Sequence, residues 1–524
     1  MLGLVKTCRC LIHSSRLLVA VVALSWLSAC QTHHVYPTAP LEYKLAKPTS
    51  SRLVDYYNRV LATTELTESN TAIYPLSDGL DAFTARLVSI EAAQVSIDVQ
   101  YYIYRNDETG TLLTWYLYKA AERGVRVRIL LDDMTTGALG NGLAALVRHP
   151  NISIRVFNPA HYRERRTWSF VTDFGRMNHR MHNKSLTVDN MLSIVGGRNI
   201  GDEYFSANEA VEFGDLDVFM MGAAVDEVSD QFDLYWNSSQ VRPVEQLEEK
   251  SIDAVELFET HAALQAFQQS LPENQYVRRL VTTPMLEKLL NQRVNWYTVD
   301  AEVIFDPPNK LHTHLNQGIL VDDLATFFSA AEEQVLIISP YFVPTQSGAD
   351  ELVSWAKSGV DITVVTNSLA ATDVLAVHSG YQQYRQQLIE GGIKLYELKA
   401  DLTRKYKQAE AKMFQGSSRS SLHAKSFVVD DEAIFIGSFN YDPRSAWLNT
   451  EMGVIIYDKP FSKKFLTGFY HDLPSKVYQV KVEDNKLVWL DLVSGERHYK
   501  EPNTSLWQRF MASFLSWLPI ESHL

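Results

Sequence analysis

Met181-His182-Asn183-Lys184-Ser185-Leu186-Thr187-Val188-Asp189, followed by Gly196-Gly197-Arg198-Asn199, returns later in the chain as Leu422-His423-Ala424-Lys425-Ser426-Phe427-Val428-Val429-Asp430 followed by Gly437-Ser438-Phe439-Asn440. In both copies the first Gly stands fourteen residues after the His and the Asn seventeen. The chain upstream repeats too. Residues 95–102 alternate as a strand, 112–123 read as a helix, and 124–131 form the next strand. The same order recurs at 335–342, 352–357 and 359–365. From Val95 to His182 is 87 residues and from Val335 to His423 is 88, a pace that unrelated segments rarely keep. Strand-helix-strand units close as right-handed crossovers covered by helices. The fold class expected is therefore α/β: two similar lobes, each a mixed, mainly parallel sheet flanked by helices, with a site between them.

A chain of 524 residues, 46% hydrophobic, exceeds one core, since single cores stop growing at roughly 250 to 300 residues. The expected division is a signal peptide over 1–29, a tether and lead-in over 30–72, a first lobe over 73–240 and a second over 318–475. Residues 241–317, rich in Glu, Gln, Lys and Leu and broken at Asp306-Pro307-Pro308, read as a helical inter-lobe segment. Residues 476–524 read as a hairpin around Asp484-Asn485 and an amphipathic helix with Leu506, Trp507, Phe510, Met511, Phe514, Leu515 and Leu518 at helical spacing, capped by Thr504 or Ser505. Two readings of that helix stand: insertion into a lipid interface, or packing on the core.

The net charge of −13 argues against affinity built on neutralising nucleic-acid phosphates, so no nucleic-acid partner is expected. At the N-terminus, Lys6, Arg9 and Arg16 surround and precede a short apolar run, 17–27, ending in Leu27-Ser28-Ala29-Cys30. That ending resembles the bacterial lipobox, which implies cleavage before Cys30 and lipidation of its sulfur. Cys8 and Cys10 would leave with the signal, so no free thiol would remain in an oxidising compartment. An uncleaved anchor helix is the alternative, and both readings place the protein at a membrane. Residues 31–50, with His33, His34, Pro37, Pro40 and Pro48, read as a tether; two histidines are too few for a metal site. Gln31 after Cys30 resembles the outer-membrane sorting pattern of enteric lipoproteins, which implies a lipoprotein of the cell envelope facing the periplasm.

Residues two apart on a strand share a face, so His182 with Lys184, and His423 with Lys425, point into one space. Such a pair of imidazoles suits a phosphodiester: one attacks phosphorus while the other protonates the leaving alkoxide. The ammonium groups of Lys184 and Lys425 and the amides of Asn199 and Asn440 can hold the non-bridging oxygens. This chemistry calls for no metal and no cofactor. Asp189 and Asp430 fall where each strand turns, which predicts structural roles. His312 and His314 share the spacing but lack the Lys and the downstream Gly and Asn, and are read as bystanders.

His-x-Lys-x4-Asp followed by Gly196-Gly197 or Gly437-Ser438 resembles the double motif of the phospholipase D superfamily. The resemblance implies a phosphohistidine intermediate, with His182 as nucleophile and His423 as general acid, an order that the near symmetry of the two copies leaves open. Asp215 and Glu451 match the positions of the acids that orient the histidines, with Asp217 in reserve. Tyr101-Tyr102-Ile103-Tyr104, Asn199-Ile200-Gly201-Asp202-Glu203-Tyr204-Phe205, Tyr341-Phe342-Val343-Pro344-Thr345 and Leu448-Asn449-Thr450-Glu451-Met452-Gly453 look like the C type of bacterial cardiolipin synthases, over about residue 75 to the C-terminus. That likeness implies phospholipid partners at a membrane surface: phosphatidylglycerol as acceptor, with phosphatidylethanolamine or a second phosphatidylglycerol as donor. On a helix that also holds Asp373, His378, Tyr381 and Arg385 stand at i, i+3 and i+7, either facing a head group or forming a solvated face. Arg163, Arg165 and Arg166 either attract anionic lipid or form an exposed basic loop. A phospholipase D hydrolase, a nuclease and a noncatalytic envelope lipoprotein are the competing functions.

Overall fold

Runs such as Val335-Leu336-Ile337-Ile338 are apolar at every position, so both faces of their strand must be covered. In the computed structural model they are. Val335 and Ile337 enter a core shared with the second lobe's helices, whereas Leu336 and Ile338 enter a core formed where the two lobes meet. The first lobe does the same: Ile194 and Phe219 face its helices while their neighbours Val195 and Val218 face the other lobe. The structure describes residues 39–136, 146–160, 168–169, 172–207, 212–247, 254–311, 320–400 and 420–524. The signal segment, Cys30, His33, His34, Pro37, Arg163, Arg165, Arg166, His312 and His314 lie outside the described residues.

The first lobe's strands run Thr71–Leu76, Asp217–Gly222, Leu192–Gly196, Ser185–Val188, Ser96–Tyr101, Arg126–Asp132, Ile152–Phe157 and Val241–Pro243 across the sheet. The second lobe repeats the order with Tyr297–Phe305, Met452–Tyr457, Ala433–Gly437, Ser426–Val429, Gln334–Ile338, Asp361–Asn367, Lys394–Leu398 and Val477–Glu483. Thr71 opposite Val299 joins the two halves into one sheet. The mixed α/β reading holds, but parallel pairing is narrower than expected. Within each lobe's sheet it is confined to three neighbouring strands, and the motif hairpins and outer strands pair antiparallel.

The crossover helices start earlier than the apolar periodicity suggests, at Glu108–Glu122 and Thr345–Ser358. The side chain of Asp107 accepts from the Gly110 amide and caps the first. Two domain expectations are corrected. The inter-lobe segment does contain the helices Ala254–Ser270, Gln275–Leu280 and Pro284–Leu290, but it also holds two strands, Val241–Pro243 at its start and Tyr297–Phe305 beyond the helices. Tyr297–Phe305 alternates and is rich in β-branched and aromatic residues, and it pairs with both lobes. The tether is also shorter than expected. Arg155 donates to the Pro40 carbonyl, Arg128 and Asn237 to that of Glu42, and the Lys44 amide to Asp233, so residues 40–47 are fastened to the first lobe by its buried polar groups.

Asp217 is buried between two buried guanidinium groups, 2.8 Å from Arg86 Nη2 and 3.2 Å from Arg198 Nη1. Removing one partner of a buried ion pair strands the rest without compensation. Asp217→Ala is expected to lower stability by about 3–5 kcal/mol in urea unfolding. A loss below about 1 kcal/mol would show that the two arginines find other partners.

Candidate active site

Neither His-x-Lys pair lies on a regular strand. Both occupy extended chain immediately before the strands Ser185–Val188 and Ser426–Val429, and in both cases the opposite lobe supplies the missing backbone partner. The His182 amide donates to the Thr450 carbonyl at 2.8 Å, and the Thr450 amide to that of Arg180 at 2.9 Å. In the mirror arrangement the His423 and Ala424 amides both donate to the Gly214 carbonyl, and the strand Ser420–Leu422 runs parallel to Glu212–Gly214. Each histidine is thus placed by backbone from the other half of the chain.

The carboxylates are exchanged in the same way. His182 Nδ1 donates to Glu451 Oε2 at 2.8 Å, and His423 Nδ1 donates to Asp215 Oδ2 at 2.6 Å. A carboxylate only accepts, so this contact fixes the proton of a neutral imidazole on Nδ1 and leaves the Nε2 lone pair for chemistry. The Glu451 carboxylate also accepts from the Ser438 hydroxyl, and its amide donates to Asp306 Oδ2 at 3.0 Å. In the other copy Gly197 replaces Ser438, and the reason is space: a Cβ at Gly197 would lie 2.2 Å from Asp215 Oδ1. At Gly196 and Gly437 a Cβ would meet the backbone of the adjacent strand at about 2.5 Å. Asp217 does not serve a histidine, because Arg86 and Arg198 hold it.

Lys184 and Lys425 are almost wholly buried, and each Nζ donates to the carbonyl of its own histidine. Lys425 Nζ also lies 2.8 Å from His423 Nδ1 and 3.1 Å from Nε2. Burial lowers His182 to about 4, against the pull of Glu451 and with the lysines adding to the fall. Burial and then Lys425 lower His423 to about 3. Burial likewise takes Lys184 to about 7 and Lys425 to about 8. Burial opposes charge on Asp215 as well, but the contact with His423 and the nearby cations hold it below the usual carboxylate range. Burial thus favours the neutral imidazoles, and an anion beside them would favour positive charge.

Asn199 and Asn440 are both buried beside these groups. Asn199 Oδ1 accepts from the Ile103 amide and Nδ2 donates to the Tyr204 hydroxyl, whereas Asn440 Oδ1 has no hydrogen-bond partner among the described residues. Two aromatic walls carried no role in the sequence reading. The Tyr102 ring meets His182 edge-on at 5.0 Å and the Tyr204 ring meets His423 at 5.1 Å. Both tyrosines sit in stretches quoted for the family likeness, but nothing in their spacing tells which histidine they touch.

Asp189 and Asp430 stand at strand turns. Each occupies a left-handed turn conformation, φ 53° and 52°, and each accepts from the amides opening a neighbouring strand: Val95 and Ser96 for Asp189, Glu333 and Gln334 for Asp430. His378, Tyr381 and Arg385 are corrected. They are buried, on two successive helices, in a closed network where Arg385 pairs with Glu397 and Glu501, Tyr381 donates to Glu397, and His378 Nε2 lies 3.2 Å from Glu501. Acids from distant segments consume this polar face, so it is neither a head-group site nor a solvated one.

The family model described as "Cardiolipin synthase, PLD-like domain" matches residues 87–236 and 324–473, one match per lobe. Cardiolipin synthase C of Escherichia coli is 39% identical over 86% of this chain and 95% of its own length. The major cardiolipin synthase ClsA of Bacillus subtilis is 27% identical over 78% of this chain and 70% of its own. Among solved structures, phosphatidylserine synthase of Haemophilus influenzae shares the fold, with a TM-score of 0.57 at 15% identity, covering 89% of this chain and all of that one.

Asp215→Asn is expected to reduce phosphodiester turnover by about 10²- to 10⁴-fold. In nitrogen-15 NMR of the histidine rings it should move the His423 resonances and leave those of His182 in place, while Glu451→Gln does the reverse. Movement of the same-lobe histidine instead would contradict the exchange of acids.

Proposed function

The chain belongs to the cardiolipin synthase family of phospholipase D-like enzymes, and we propose that it moves a phosphatidyl group onto phosphatidylglycerol, taking it from phosphatidylethanolamine or a second phosphatidylglycerol. One observation carries the chemistry: two buried imidazoles, one from each lobe, each have Nδ1 tied to a carboxylate of the opposite lobe, which orients Nε2 for reaction.

In the first half-reaction the bound anion leads His423 to take up a proton from solution, His182 Nε2 attacks phosphorus, and the bond to the departing alkoxide breaks as the Nε2–H of the His423 imidazolium protonates it. His182 then carries the phosphatidyl group, and its imidazolium charge is stabilised by Glu451. In the second half-reaction neutral His423 takes the proton of the incoming glycerol hydroxyl, whose oxygen forms the new phosphoester bond while the bond to His182 breaks. Lys184 and Lys425 bear on the non-bridging oxygens, and in a site closed to water their stabilisation of the transition-state charge is strong. The assignment of His182 as nucleophile follows the family pattern.

The phospholipid substrates require access to a membrane. No helix among the described residues is long and apolar enough to cross one. Attachment is assigned to the N-terminal segment, with Cys30 as the lipidated residue and the enzyme facing the periplasm as an envelope lipoprotein.

Incubation with phosphatidylglycerol and isotope-labelled phosphatidylethanolamine in mixed micelles is expected to give labelled cardiolipin and free ethanolamine by mass spectrometry. His182→Ala and His423→Ala should each abolish both products, by about 10³-fold or more. Phosphatidic acid without cardiolipin would make the enzyme a hydrolase, and no lipid turnover would point to another phosphodiester. Because both histidines are depressed below 6.5, an anionic phosphate entering the site should raise one of them and draw a proton from solution. Calorimetric titration with orthovanadate at pH 6, in buffers of different ionisation enthalpy, should register that uptake. No uptake, or release of a proton, would contradict the charge arrangement.

A further inference from the structure

The C-terminal helix Leu506–Leu515 turns its apolar stripe away from the protein. Ala512 is its one buried residue, while Leu506, Trp507, Phe510 and Phe514, with Trp517 and Leu518 just beyond, are 40–85% exposed. These positions fall on one helical face. The rings of Trp507, Phe510 and Phe514 stack in succession, with centroids 5.6 and 6.5 Å apart. The orientation is fixed rather than accidental. Ser505 and Gln508 form a capping box at the start, and on the inner edge Gln382 Nε2 donates to the Ala512 carbonyl at 3.0 Å.

Three further observations say what covers the stripe. Residues 503–520 contain no Asp or Glu, in a chain of net charge −13, and Arg509 is their single charge. Exposed Trp and Phe, backed by few charges, suit the boundary between head groups and hydrocarbon. The segment that follows is fastened to the rim of the active site. The Arg444 amide donates to the Leu524 carbonyl at 2.7 Å, and its guanidinium donates to the His523 carbonyl and, at 2.8 Å, to Asn178 Oδ1. Arg444 stands between Asn440 and Glu451, and Asn178 lies four residues before His182. Phe174, half exposed, meets the His523 ring at 5.8 Å, and exposed Trp447 lies three residues after Arg444.

We propose that this face is a bilayer-docking surface: the stripe enters the head-group boundary of a phospholipid membrane and brings the loops carrying Asn178 and Arg444, and with them the catalytic groups, to the lipid. The proposal rests on the reading of phospholipids as substrates.

The full chain, added to phosphatidylglycerol–phosphatidylethanolamine vesicles with brominated acyl chains, should show tryptophan quenching that Trp507→Phe/Trp517→Phe removes in part. Phe510→Asp/Phe514→Asp should lower turnover of vesicle lipid by about tenfold or more while leaving turnover of a short-chain, monomerically dissolved phospholipid unchanged. Equal loss on both substrates would overturn the proposal in favour of a helix that only supports the fold. Quenching unaltered by the tryptophan replacements would also overturn it, as would a dimer that the aspartates convert to monomer without changing vesicle turnover. If the unaltered chain turned over no phospholipid, the substrate reading itself would fail, whereas quenching reports docking without any turnover.

Discussion

Each imidazole of the site takes its carboxylate from the opposite lobe, and the rest of the fold keeps that exchange in register. Neither half holds a complete catalytic unit: His182 lacks an acid without Glu451, and His423 lacks one without Asp215. The lobes must therefore meet with sub-ångström consistency. The shared apolar core, the pairing of Thr71–Leu76 with Tyr297–Phe305 and the backbone bonds across 182·450 and 423·214 each restrain the same interface. Packed interfaces of this kind resist small displacements because close-packed side chains do not deform continuously.

Burial of two lysines and two histidines in one place is costly without counter-charge. Asp215 and Glu451 supply two negative charges, and the depressed histidines avoid two positive ones. What remains is a site whose lysines sit near their own neutral forms and whose charge balance improves when a phosphodiester arrives. In the proposed reaction, binding and electrostatic catalysis would use the same groups, since charge that attracts a phosphodiester also stabilises the oxygens that gain charge in its transition state.

Around this centre the two copies solve the same local problems with different residues. The turn aspartates Asp189 and Asp430 collect amide donors in both lobes. Gly197 clears space for Asp215, whereas Ser438 donates to the longer Glu451. The first lobe adds the Arg86–Asp217–Arg198 brace, and the second adds the network of His378, Arg385, Glu397 and Glu501. These networks explain why polar residues at helical spacing, such as His378 and Arg385, belong to the interior here.

The sequence by itself determined the duplication, the α/β class, the two His–Lys pairs, the turn aspartates and the family, because each of these is written in local spacing that repeats at a fixed distance. The hairpin at Asp484-Asn485 was equally legible, since its residues adopt the left-handed conformations that such turns demand. Tertiary structure alone decided which acid serves which histidine, that Asp217 belongs to Arg86, that residues 40–47 are fastened down, that Tyr297–Phe305 is a strand bridging both lobes, and which way the C-terminal stripe faces. All of these depend on partners far away in the chain, such as His182 with Glu451, 269 residues apart. A one-dimensional pattern gives the chemistry each residue can perform, but the partner that directs it is chosen by packing in three dimensions.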